Sequence, residues 1–176
     1  MIPALPPWAG IHPLLVHFPI ALLFTLPVFL GLTLVMGRRH RVWAFAALIM
    51  LFLGTAGVFA AAASGEAAGK LAERSPEINA VLERHEHLAE AARGVFSGLT
   101  LAFAALVFIP MALKRELPRW AHGSAHALFL AVFLGSLGFL AQIAHQGGRL
   151  VHQHGVHALM APGDAPIATL ERHDED

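Results

Sequence analysis

Residues 42–64 read VWAFAALIMLFLGTAGVFAAAAS, twenty-three positions without a single charge or histidine. At about 1.5 Å of rise per residue, a helix of this length covers roughly 35 Å. That exceeds the roughly 30 Å of hydrocarbon in a bilayer. A water-facing helix would need a polar stripe, and this stretch has none. Lipid is the solvent that it fits. Three more apolar runs flank it, from about Ile11 to Met36, from about Ala91 to Leu113 and from about Trp120 to Ala144. Each passes the length of about 20 residues that a spanning helix needs. Pro19 and Pro27 fall inside the first run. They would break a helix in water, but a membrane helix accommodates them as kinks.

Composition agrees. Hydrophobic residues make up 56% of the 176 and charged residues only 14%, against about 25% charged in soluble domains. Lys and Arg balance Asp and Glu at 12 each, and no basic stripe interleaved with aromatics marks a nucleic-acid surface. There is no cysteine, which excludes disulfides, iron–sulfur clusters, thiolate zinc sites and c-type haem attachment. No phosphate loop, Ser–His–Asp arrangement or zincin motif is present. Four spans without an inverted repeat or a mid-membrane acid do not read as a transporter.

The connections set the topology. Gly37-Arg38-Arg39-His40-Arg41 is a tight turn between the first two spans, and Lys114 to Arg119 is another between the last two. The middle connection is longer. Within it, Ser75-Pro76-Glu77 reads as a helix start, with serine as N-cap, proline at N1 and an acid in the first turn. One long helix is therefore expected from about Pro76 to Leu113, its first turns standing outside the membrane. Basic residues crowd both short turns, so the positive-inside rule places the termini and the long connection in the periplasm. Trp8, Trp43 and Trp120 fall near span ends, as interfacial tryptophans do. The N-terminus lacks the basic start of a cleaved signal peptide. The reading is an all-α, integral membrane four-helix bundle over residues 1–160, followed by a flexible acidic tail over 161–176. A bacterial inner membrane suits it.

Histidine is the unusual residue, at 12 of 176. In this topology His12, His17, His85, His87, His145, His152, His154 and His157 gather at the outer end. His40, His122 and His126 belong near the inner end, and His173 is in the tail. Histidine in or beside hydrocarbon is costly and points to function. His17 lies roughly 7 Å into the first helix, at about 1.5 Å per residue. His145 sits at similar depth on an antiparallel helix, so the two are expected to face each other. Ala131, Gly135, Gly138, Gln142 and His145 share a face of the fourth helix, and Gly57, Ala61 and Gly65 a face of the second. Such faces serve close packing or leave room for a flat group. Glu83, Glu86, His87 and Glu90 share a helix face that resembles half of a carboxylate–histidine metal site, or is simply solvated. His12 reads as a cap before Pro13. His122 and His126, one turn apart, could hold a second haem, but with no opposing deep histidine in view, water or headgroup contact is expected.

Four segments occur in a familiar order. His12-Pro13-Leu14-Leu15-Val16-His17-Phe18-Pro19-Ile20-Ala21-Leu22 opens the first span and Gly65-Glu66 closes the second. His85-Glu86-His87-Leu88-Ala89 precedes the third, and Gly147-Gly148-Arg149-Leu150-Val151-His152-Gln153-His154-Gly155-Val156 follows the fourth. Over about residues 10 to 160 this resembles the DUF2231 family of small bacterial membrane proteins. The family name records an unknown function, so the resemblance speaks to the fold. Some relatives resemble modules fused to, or encoded beside, cytochrome c and other redox parts, which implies electron transfer.

Three functions follow from the residues. The first is a b-type cytochrome-like subunit, with haem between histidines of facing helices. His17 with His145 is the preferred pair, then His87 or His85 with His12 or His152, with Arg149 pairing a propionate. Its partner would be periplasmic cytochrome c or a quinol. The second is a haem-free Cu, Zn or Fe site drawing on the outer histidines with Glu66, Glu83, Glu86 and Glu90, and on His154 in the segment after the fourth span. The third is a structural subunit of a larger complex or a homodimer. An electron-transfer or binding subunit is the expectation ahead of a stand-alone enzyme.

Overall fold

A computed structural model describes residues 6–72, 75–114 and 118–157. The acidic tail and His173 lie outside the described residues. The chain begins with a short helix α1, His12–Leu15, followed by α2, His17–Val35. Together they form the first crossing, 24 residues long. The break between them has a local cause. Pro19 has no N–H to give the carbonyl of Leu15, so the ladder is interrupted there. Val16 keeps helical angles, and its N–H donates to the carbonyl of His12 at 3.1 Å. Pro27 lies inside α2 without ending it.

A 3-10 turn over Gly37–Arg39 reverses the chain. It depends on Gly37 at φ +46, a conformation that costs other residues a Cβ clash. Helix α3 covers His40–Gly69, α4 covers Pro76–Ala112 and α5 covers Arg119–His152. Ser75 caps α4 as expected, its hydroxyl accepting from the Ile78 N–H at 3.2 Å. Helix α4 has 37 residues, about 55 Å at 1.5 Å per residue, well beyond the hydrocarbon thickness.

The fourth span continues further than its apolar run predicts, to His152 rather than Ala144. Nothing in the intervening stretch breaks a helix until Gly155, at φ +64. There the Val156 N–H reaches back to the Leu150 carbonyl at 2.9 Å, and Val156 packs beside Leu150. The closing Gly-Val of the final motif is thus a helix stop with its hydrophobic clasp.

The helices pack up-down-up-down, each on its two neighbours. Helix α2 lies on α3 and α5, and α4 lies on α3 and α5; across the diagonal, α3 and α5 meet through the rings of His40 and His122. Leu23, Leu26, Leu30, Leu51, Phe96, Phe103 and Phe133 fill the centre. Association in lipid relies on tight packing rather than on the hydrophobic effect, and α3 supplies it with glycine. A Cβ at Gly54 would stand 2.7 Å from Cδ2 of Leu23, and one at Gly57 3.0 Å from Pro19. The small face of α5 behaves differently. Ala131, Gly135, Gly138, Gln142 and His145 are all exposed, and nothing lies within 4 Å of a Cβ at Gly135 or Gly138. That face looks away from the bundle. All four crossings are long and apolar enough to span a membrane, and their outward residues, such as Val42, Leu101 and Leu128, are large and apolar.

Candidate functional site

At the end of the bundle that carries the start of α1 and the end of α5, α1 directs His12 inward against α3. Nδ1 of His12 donates to the Ala61 carbonyl at 2.9 Å and lies 3.1 Å from Oγ of Ser64. Gly65 makes room for the ring, since a Cβ there would stand 2.8 Å from Cε1 of His12. Across from it, α4 presents His85. Its Nδ1 donates to the Ile143 carbonyl of α5 at 3.1 Å, and a Cβ at Gly147 would meet its Cε1 at 3.3 Å. The two ring centres are 6.5 Å apart, with planes at 85°. In each ring Nδ1 is held by a backbone carbonyl. A carbonyl only accepts, so the proton sits on Nδ1 and Nε2 carries the lone pair. This is how metal-binding histidines are commonly oriented.

The preferred pair of the sequence reading does not form an interior site. His17 is exposed, and its Nδ1 donates to the Pro13 carbonyl of its own turn at 2.6 Å. His145 is also exposed, while its neighbour Gln146 is buried. Helical geometry explains both. His12 and His17 are five residues apart, roughly 140° around a helix of about 3.6 residues per turn. They cannot both face inward, and His12 does. His85 and His87, two apart, point to nearly opposite sides; His85 is half-buried and His87 exposed. His12 is therefore more than a cap before Pro13.

The remaining candidates are scattered. Glu83, Glu86, His87 and Glu90 are exposed. Glu66 forms an exposed ion pair with Lys70 at 3.0 Å. His152 is exposed, and Arg149 donates to Gln153 at 2.9 Å and to Gln146 at 3.3 Å. His154 lines a side cavity of about 390 Å³ with Arg84 and Arg149. Among the described residues, no three histidine or carboxylate side chains group closely enough to hold a metal ion.

At the opposite, hairpin end the expectation of water or headgroup contact is also corrected. His126 is buried, and a histidine that sequence spacing did not pair with it stands close by. The His40 ring at the start of α3 lies 4.5 Å from His122, and His122 lies 4.0 Å from His126. The only sequence signal for this grouping is that His40 sits in the turn facing the start of α5.

The fold and its sites define a multi-pass helical membrane protein with histidine clusters at both ends. The chain belongs to the DUF2231 family, described as predicted membrane proteins, whose model matches residues 9–159. Comparison with curated proteins and with solved structures found no match.

Proposed function

We propose that this protein is a haem-carrying electron-transfer subunit, with His12 and His85 as the two axial ligands. The observation that carries this is the pair itself: rings from opposite sides of the bundle, 6.5 Å apart, each with Nδ1 tied to a carbonyl. Two imidazoles on opposite sides of one metal centre have ring centres about 6–6.5 Å apart, given metal–nitrogen bonds of about 2.0–2.1 Å. The carbonyls of Ala61 and Ile143 set the tautomer and make each ring a stronger donor. Arg149, at the same end, is a cation for a propionate. His12 and His85 would hold the haem, which would supply one-electron redox chemistry there. The partner would be a periplasmic cytochrome c or a quinol.

A bare copper, zinc or iron ion is the second reading, because the same spacing suits one ion between two imidazoles. A reduced-minus-oxidised visible spectrum of the purified protein, with metal analysis on the same sample, separates the two. Bands near about 560 nm support haem, whereas a blank spectrum with bound copper or zinc supports the ion. His12→Ala and His85→Ala are expected to lose the bound group, and His17→Ala and His145→Ala to keep it. Retention by both of the first two variants overturns the pair.

A further inference from the structure

The hairpin end holds a second, separate feature. A cavity of about 860 Å³ opens there between all four crossings, within the roughly 300–1,000 Å³ of ligand sites. Its wall on α3 and α4 is apolar, with Ala44, Phe45, Leu106, Val107 and Met111. On the α5 side stand His122 and His126, whose Nε2 atoms are sealed within the protein, so neither is a ligand for an occupant. Arg119, the first residue of α5, also lines the cavity. It is exposed and makes no hydrogen bond or ion pair among the described residues. Arg41 lines it too, but already has a contact of its own. Around the mouth, positive charge prevails. Residues 37–41 and 114–119 contain six Lys or Arg in the sequence against one acid, Glu116.

Depth decides what kind of molecule meets this mouth. Trp120, next to Arg119, is 76% exposed, and an exposed tryptophan at a span end sits at the level of the lipid headgroups. From Arg119 to His126 the cavity then runs about 10 Å toward the hydrocarbon, at about 1.5 Å per residue. We propose that this cavity seats one anionic phospholipid of the leaflet at the hairpin end, its phosphate at Arg119 and the near part of an acyl chain against α3 and α4. A free phosphate would leave the apolar wall bare. A zwitterionic lipid would gain nothing from the excess of basic residues. The bilayer itself supplies the occupant, and basic pockets between membrane helices on the cytoplasmic side are where acidic headgroups bind. An apolar void of this size left unfilled would forfeit the contacts of its lining. This site is independent of the His12–His85 pair.

The experiment is native mass spectrometry of the purified full chain, delipidated in detergent and titrated with dioleoyl-phosphatidylglycerol or dioleoyl-phosphatidylcholine. The expected result is one phosphatidylglycerol held per chain, at least about tenfold more tightly than phosphatidylcholine, since each basic residue near an anionic headgroup adds about fivefold. Arg119→Gln, an exposed change that leaves the fold intact, should weaken phosphatidylglycerol about fivefold and phosphatidylcholine little. Leu106→Trp fills the cavity from its wall and should weaken both lipids. Met111→Trp repeats that test if Leu106→Trp fails to fold. Inorganic phosphate is expected not to displace the lipid. Equal retention of the two lipids overturns the proposal, and so does retention of phosphatidylglycerol that Arg119→Gln leaves unchanged. Retention unchanged by the tryptophan variants also overturns it, because the lipid would then lie on the outer surface. Displacement by inorganic phosphate would reduce the site to one for a free anion and overturn it as well.

Discussion

At the residue scale, single atoms decide whether the histidines become a site. Gly65 has nothing unusual in its backbone angles; its value is the missing Cβ beneath the His12 ring. Gly65→Ala would place a methyl group 2.8 Å from Cε1 of His12, so the ring must leave the Ala61 carbonyl. If the proposed metal centre is held there, the expected result is a loss of about 10–100-fold in affinity for it, the usual scale for disturbing an orienting contact, measured by titration against the wild type. Gly54 has a purely structural version of the same role. A Cβ there meets Leu23, a fully enclosed side chain of α2. Gly54→Val should cost about 1–3 kcal/mol by overpacking, read as a lower unfolding midpoint in detergent.

At the scale of elements, the ends of the long helices are built by local signals that were readable in advance. Ser75 accepts from the Ile78 N–H at the start of α4. Ser75→Ala is expected to cost about 0.5–2 kcal/mol, seen as faster amide exchange over the first turns of α4 with the apolar crossings unaffected. Gly155 closes α5 at φ +64, and Gly155→Ala should destabilise that end by about 1 kcal/mol. Its effect is expected on Val156 and Leu150, which pack with Val81 and Leu82 of α4. This small cluster braces the end where His85 sits, so fraying there should also broaden any spectrum that depends on His85.

For the whole molecule, four crossings return the chain to the side from which it started. Basic residues crowd the hairpin turns, which points to a cytoplasmic hairpin end. A C-terminal alkaline phosphatase fusion is expected to be active and a green fluorescent protein fusion dark. The opposite pattern would invert the bundle, moving the His12–His85 pair to the cytoplasmic side. The outward face of Ala131, Gly135 and Gly138 carries no packing within the chain, although its pattern reads as a packing face.

The number of crossings, their approximate limits, the cap at Ser75 and the family were legible from the chain alone. Apolar length and turn chemistry are local properties, and lipid enforces them whatever the neighbours do. The gathering of histidines at the two ends was legible for the same reason, since distance along a helix is depth. Which of them meet was not legible. That depends on rotation about each helix axis, and a step of one residue, from His145 to Gln146, turns a side chain by about 100°. Only the packed bundle decides that rotation, because it follows from where glycine allows two backbones to approach. So His12 and His85 turn inward while His17 and His145 face out, and His40, just after the first hairpin turn, meets His122, just after the second.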